Sequence, residues 1–307
     1  MQEPERIDVL ILGGTGMLGH KIFQHLDARL PNVWCSIRGS VHDPGLEKIA
    51  LFQSGHVLER IDLLDSDSIE SLISGFRPHT VVNCAGLVKQ RPESNQSVPA
   101  IQVNSLLPHR LLKACQQTGA RLIHISTDCV FNGRGGPYRE EDPPDAEDLY
   151  GRTKALGELT GPQALTLRTS MIGRELLHFH GLLEWFLGQN HGRVRGYRSA
   201  LYSGVTTNYL TCVIERLITH HPSLSGLYQL AGPAISKFDL LHFFRDAYGL
   251  DIEIIPDDSF VCDRRLDGSP FEKATGLVSP PWPEMIRQLA NDRTPYEEWR
   301  ARAHAAV

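Results

Sequence analysis

The sequence holds no Cys-x-x-Cys and no His-Glu-x-x-His, and neither His178/His180 nor His220-His221 has a third ligand at a sensible spacing. Metal coordination of the familiar kinds is therefore not expected. The six cysteines, at positions 35, 84, 115, 129, 212 and 262, are scattered, which argues against a disulfide framework and for free buried thiols. Long basic runs are also missing. With 31 Lys and Arg against 36 Asp and Glu the formal charge is −5, so bulk electrostatics favours neither nucleic acid nor an anionic membrane surface. Any anionic ligand has to be held by local groups. The first strand-like run begins at Ile7 with no basic segment or long apolar stretch before it, from which a cytoplasmic protein is expected. There is no internal repeat, and low complexity is confined to acidic or proline-rich turns at 140–148 and 280–283.

What is present is enough to bury a large core: 307 residues, 41% hydrophobic. Up to about residue 170, short apolar runs at 7–12, 33–38, 56–61, 80–84, 121–125 and 164–168 alternate with helix-period segments. That is the pattern of an α/β fold, a Rossmann-like doubly wound parallel sheet with helices on both faces. Ser66 is the expected N-cap of a helix carrying Ile69, Leu72, Ile73 and Phe76, and another helix is expected over 98–118, with Pro99 in its first turn and a tolerated Pro108. After residue 170 the alternation fades, although helices at 208–220 and 237–248 remain clear, the second capped by Ser236 with Asp239 in the place of the usual Glu. The expected division is a dinucleotide-binding domain over 1–170 and a smaller C-terminal α/β substrate lobe over 171–307, the two sharing a core and the chain free to return to the first.

Between the first strand and the first helix stand Gly13, Gly16 and Gly19, with Thr15, Met17 and Leu18 among them. Glycine permits positive φ and lets the backbone approach a pyrophosphate, which rests on unpaired N–H groups at the positive end of the helix. The second strand ends at Arg38, with no carboxylate in the following Gly39-Ser40, and an arginine there suits a ribose 2′-phosphate. NADP(H) is the preferred cofactor and NAD(H) the alternative. Asp62 and Leu63 after the third strand could reach the adenine, and Asn83-Cys84-Ala85-Gly86 after the fourth could let the cofactor lie close to the backbone.

Tyr150 and Lys154, four residues apart, fall on one face of a helix at roughly 5 to 6 Å between Cβ atoms. A nearby ammonium favours phenolate, so Lys154 is expected to lower the pKa of Tyr150 toward the working range of an acid/base catalyst. A Ser126-Thr127-Asp128 triplet lies upstream.

Taken in order, the glycine turn, Asn83 to Gly86, Asn104, Ser126-Thr-Asp-Cys-Val-Phe131, Tyr150-x-x-x-Lys154 and Leu167-Arg-Thr-Ser170 resemble the extended short-chain dehydrogenase/reductase family. Within it the chain is most similar to the dTDP-4-dehydrorhamnose reductase group of sugar-nucleotide 4-ketoreductases, specifically over 7–175 and more loosely to about 290. The resemblance implies hydride transfer to the C4 ketone of a nucleotide-linked 4-keto-6-deoxyhexose. It makes Tyr150 the proton donor, gives Lys154 the nicotinamide ribose, and has Thr127 hydrogen-bond the ketone oxygen. It also implies cofactor contacts from Cys84, Ala85, Gly86, Val88 and Asn104, and it puts Lys89, Asp128 and Ser170 toward the sugar. Met171-Ile-Gly173 replaces the usual aromatic residues after Arg-Thr-Ser, and Cys262-Asp-Arg264-Arg265-Leu266 replaces an Arg-Pro pattern. Those departures resemble a sibling branch acting on UDP-linked 2-acetamido-2,6-dideoxy-hexos-4-uloses, in precursor pathways for surface polysaccharides.

Arg264 and Arg265 are the candidates for clamping the substrate diphosphate, because guanidinium groups offer bidentate donors. Arg193, Arg195 and Arg198 around Tyr197 read as a solvated loop, and Trp185 as a core residue of an apolar helix. The Asp-Glu that a 4,6-dehydratase carries after the threonine is absent, since Cys129 follows Asp128. An epimerase that retains NAD, and a cofactor-binding regulatory subunit without catalysis, stay open as alternatives. Among partners a nucleotide sugar is expected, with room for a homodimer.

Overall fold

A computed structural model describes residues 7–88, 96–177 and 179–299. Seven parallel strands form the central sheet: β1 (Val9–Leu12), β2 (Val33–Ser36), β3 (Val57–Leu58), β4 (Thr80–Asn83), β5 (Arg121–Ile125), β6 (Ala164–Arg168) and, much later, β11 (Gly226–Gln229). Their order across the sheet is β11-β6-β5-β4-β1-β2-β3. β1 shows why both faces are covered. Val9 and Ile11 belong to one buried cluster with Ile22 and Phe23, whereas Leu10 and Leu12 belong to another with Ile69, Ile73 and Leu111. A strand buried on both sides reads as a continuous apolar run.

The helices of the first face are α1 (Gly19–Asp27) and α7 (Thr207–Thr219). Those of the second are α2 (Ser66–Phe76) and the segment 97–118. The N-cap of α2 is Asp65, not Ser66: its carboxylate accepts from the Asp67 N–H at 3.1 Å. The segment 97–118 runs as α3 (Ser97–Ala100), a π-helical stretch (Ile101–Leu106) and α4 (Leu107–Thr118). In the π stretch the Leu107 N–H reaches back five residues to the Gln102 carbonyl. Pro108 has no N–H to return to Asn104, so a widened turn fits here.

Past α5 (Leu149–Leu156) and β6, the chain builds shorter pieces around α6 (Leu182–Leu187) and α8 (Lys237–Tyr248). β7 (Met171–Ile172) pairs with β10 (Val205–Thr206), β8 (Arg193–Tyr197) with β13 (Glu253–Asp257), and β9 (Ala200–Tyr202) lies between β12 (Ile235–Ser236) and β14 (Cys262–Asp263). The Ser236 cap is present, its Oγ accepting from the Asp239 N–H at 3.0 Å and donating to the Asp239 carboxylate at 2.7 Å. α9 (Ser269–Thr275) and α10 (Trp282–Ala290) follow, and residues 296–299 are again helical. The arginines 193, 195 and 198 correct the loop expectation. They project from or just beyond strand β8 and pair with Glu253, Asp257 and Asp258. Trp185 is a second correction: at 42% exposure it is no core residue.

Candidate functional site

The strand order reverses direction between β1 and β4, which opens a crevice beyond their carboxyl ends. Gly13 leaves β1 with φ 85°, and a Cβ there would press on the Ala85 backbone at 3.1 Å. At Gly19 a Cβ would fall 2.1 Å from the Gly13 carbonyl oxygen. The helix can begin against the turn because that residue has no side chain. On the other rim the Asn83 side chain accepts from the Ala85 N–H at 3.1 Å and folds 83–86 over the strand end. The cleft between has a volume of about 330 Å³. Thr15, Gly16, Met17 and Leu18 line it on one side and Cys84, Ala85, Gly86 and Val88 on the other.

The hydroxyl, carboxyl and amine groups expected from the sequence gather in it. Thr127, Asp128, Tyr150, Lys154 and Ser170 all line the same cleft. Helix α5 is held there by its cap, since Asp148 accepts from the Gly151 N–H at 2.8 Å. Gly151 then lets the helix lie against the Cys129 carbonyl, which a Cβ would approach to 2.2 Å. Thr127 Oγ1 accepts from the Cys129 N–H at 3.1 Å and donates to Asp128 at 3.2 Å.

Lys154 Nζ donates to the Ile125 carbonyl at 2.8 Å. Burial lowers its pKa to about 8, with Glu158 and Cys84 pulling upward. Burial raises the pKa of Tyr150, and Cys129 adds to the rise, while a hydrogen bond with Thr127 pulls the other way. The expectation of an acidified Tyr150 is therefore corrected. Burial outweighs the one opposing influence, the hydrogen bond with Thr127, and keeps the phenol neutral. Asp128 is likewise raised by burial, with Arg264 and Lys237 opposing.

Other expected residues support the cleft from behind. Asn104 accepts from the Leu87 N–H at 2.9 Å and donates to the Leu87 carbonyl at 3.1 Å and to Thr153 at 3.3 Å, tying the rim after β4 to the helix of Tyr150. Ser126 donates to Glu158 at 2.8 Å, and Glu158 forms a buried pair with Arg168, also at 2.8 Å. Arg264 stands behind the cleft wall, donating to the Phe131 carbonyl at 2.9 Å and to Cys129 Sγ at 3.7 Å. Arg265 does not join it. Its guanidinium is spent on Asp263, at 2.8 and 2.6 Å, and neither arginine is among the residues that line the cleft. Asp62 is turned into its own loop, accepting from the Leu64 N–H at 2.9 Å, and Leu63 packs on the core beneath. Arg38 is exposed just past β2, outside the residues lining the cleft. Lys89 and His178 lie outside the described residues.

Several lining residues were not assigned to the cleft from the sequence, among them Cys129, Glu175, His180 and Gly181. Cys129 adjoins the triplet and could have been included on that ground. The others come from an irregular stretch with neither period nor motif. Glu175 accepts from the Gly181 N–H at 2.8 Å and the His180 N–H at 3.0 Å, and burial raises its pKa. Among the described residues no group of three or more His, Cys, Asp or Glu could hold a metal ion, and no helix is long and apolar enough to cross a membrane.

Comparison with known families decides what this geometry belongs to. The family described as RmlD substrate binding domain matches residues 7–181. The chain belongs to that family. Among its curated relatives, the mouse methionine adenosyltransferase 2 subunit beta is 37% identical over 153 residues, 49% of this chain and 41% of the relative. A dTDP-4-dehydrorhamnose reductase of Streptomyces griseus is 34% identical over 150 residues, 48% of this chain and 43% of that protein. The chain thus spans about two fifths of the length of these RmlD-type relatives. Among solved structures, the dTDP-4-dehydrorhamnose reductase of Bacillus anthracis in complex with NADP superposes with a TM-score of 0.76 at 19% identity, covering 92% of this chain and 98% of that one. At that identity the likeness speaks for the fold.

Proposed function

We propose that the chain is a reductase that uses NADP(H), with NAD(H) the lesser choice, to reduce the C4 ketone of a nucleotide-linked 4-keto-6-deoxyhexose. The substrate class is UDP-2-acetamido-2,6-dideoxy-hexos-4-ulose or dTDP-4-dehydrorhamnose, and the product a precursor for polysaccharide synthesis. The observation that supports this reading is that Thr127, Tyr150 and Lys154 line the same cleft as a glycine turn at a helix N-terminus. The residues present fit a dinucleotide, because Thr15 to Leu18 at the start of α1 and Cys84 to Val88 after β4 line one cleft of about 330 Å³. When bound, the dinucleotide supplies the hydride.

The protein supplies the rest. The turn at 13–19 would receive the diphosphate and Arg38 the 2′-phosphate, while Cys84 to Gly86 keep the opposite rim flat. Lys154, a cation below about pH 8, would hold the nicotinamide ribose. Thr127 and the neutral phenol of Tyr150 present two hydroxyl groups to one ketone oxygen, polarising it as alkoxide charge develops, and Tyr150 gives up its proton. Residues 1–170 serve as the dinucleotide unit and 171–307 as the substrate lobe, which returns β11 and α7 to the sheet.

The test is a panel of UDP- and dTDP-linked 4-keto-6-deoxyhexoses offered with NADPH and with NADH, following loss of reduced nicotinamide. Turnover of at least one sugar, faster with NADPH, is expected; no turnover of any would refute the reading. The similarity to methionine adenosyltransferase beta subunits favours one alternative, a cofactor-binding regulatory subunit. It predicts NADPH binding without ketone reduction, and a stable complex with a larger enzyme.

A further inference from the structure

His20, in the first turn of α1, is wholly buried, and both of its ring nitrogens are engaged. Nδ1 lies 2.8 Å from the Gly16 carbonyl oxygen and Nε2 lies 2.9 Å from the Tyr296 hydroxyl, 276 positions along the chain. A carbonyl can only accept, so the proton sits on Nδ1 and Nε2 accepts from the Tyr296 O–H. Burial keeps the imidazole neutral, with a pKa of about 4, so this tautomer holds at neutral pH. A directed chain of hydrogen bonds therefore runs from Tyr296 through His20 to Gly16, which lines the cleft and whose N–H donates in turn to the Gly13 carbonyl at 3.0 Å.

Tyr296 is itself fixed. Its ring meets His20 edge-on at 5.7 Å, and the Arg174 guanidinium lies 4.9 Å over its face. Arg174 is bonded to Glu184 at 2.8 Å and to Glu297 at 2.5 Å. The same Glu184 oxygen accepts the Glu175 N–H at 2.9 Å, and Glu175 accepts from the N–H of Gly181, a cleft-lining residue on which a Cβ would come within 2.9 Å of Met17 in the turn. Asp292 pairs with Lys21 at 2.5 Å, and Thr294 accepts from Lys21 and Gln24, all on α1.

We propose that residues 292–299 form a strap that fastens the turn at Gly16 to the neighbouring 174–184 segment lining the same dinucleotide cleft, with Tyr296 and His20 as positioning residues for the turn. This rests on the cofactor reading above. Simple packing accounts for a buried tyrosine and a buried histidine. It does not account for a polar chain that ends on a carbonyl of the cleft turn, from a segment that also holds the adjoining cleft-lining residues through Arg174 and Glu184. Because coupling is reciprocal, a dinucleotide that gains from the strap must also steady it.

The test uses the full chain. Tyr296→Phe keeps the ring and its contacts with Arg174 and His20 but removes the O–H donor, and His20→Asn keeps a donor toward Gly16 while losing Tyr296. The readouts are the NADPH Kd by fluorescence, the Tm of the free protein, and amide exchange over 13–20 and 292–299 with and without NADPH. Each variant is expected to weaken NADPH roughly three- to tenfold, one hydrogen bond's worth, and the double variant no more than either alone. In the parent, NADPH slows exchange in both segments. Single variants that bind NADPH within twofold of a binding-competent parent overturn the strap, whatever happens to Tm. A parent that binds no nicotinamide dinucleotide overturns the cofactor reading and the strap with it.

Discussion

Tyr150 and Lys154 were legible as a pair from their spacing, but their electrostatics were not. The expectation of a lysine acidifying a phenol treats both groups as though in water. The fold removes them from it, turns the ammonium to the Ile125 carbonyl and leaves the phenol protonated. Burial of that kind depends on residues far away in sequence, so no local motif reports it. The site gains a proton donor at neutral pH and bears the cost of a buried cation. Lys154 has a folded pKa of about 8, below its unfolded value of about 10.4, so the unfolded chain binds more protons between those values and stability rises with pH there. Lys154→Met removes that dependence. Comparing Tm of parent and variant from pH 7 to 10, the parent should gain on the variant as pH passes 8; a constant difference would contradict the assigned burial. The same titration predicts that the proposed ketone reduction declines above about pH 8 as the ammonium is lost.

At the scale of elements, the strands at 121–125 and 164–168 and the helix at 237–248 stand where the apolar runs and the Ser236 cap placed them. The third strand is far shorter than the run 56–61, because an edge strand pairs on one side alone. The π stretch was invisible. Its cause involves both Pro108 and the packing of α5, where a Cβ at Gly157 would come within 1.9 Å of the Asn104 carbonyl. The glycine turn is the element most sensitive to change. Gly19→Ala would force its methyl into the Gly13 backbone, which cannot rotate away as a side chain can. A loss of stability of about 1–3 kcal/mol is expected from the overpacking, together with at least tenfold weaker NADPH binding. Calorimetric titration checks both the turn and its role: NADPH affinity unchanged in a folded variant would show that the turn does not receive the dinucleotide.

For the whole molecule, the sheet order makes the site. The doubly wound arrangement was readable from alternation, since β1 to β6 follow one another with helices between. The later lobe was not, because β7 to β10 and β12 to β14 are two to five residues long and join partners distant in sequence. The buried Arg168–Glu158 pair ties the end of β6 to the chain after α5. Glu158→Ala would leave Arg168 charged and unpaired, at a cost of about 3–5 kcal/mol that denaturant unfolding would register. It should also drop the Lys154 pKa further, since Glu158 holds it up. The central claim is that one cleft holds a nicotinamide dinucleotide while Tyr150 protonates the ketone receiving hydride. Its most direct measurement is NADPH binding and ketone-dependent NADPH oxidation by Tyr150→Phe beside the parent enzyme, with a sugar the parent reduces. The account predicts an NADPH Kd within a few fold of the parent and a turnover lower by about 10²–10⁴; turnover close to the parent's would contradict it.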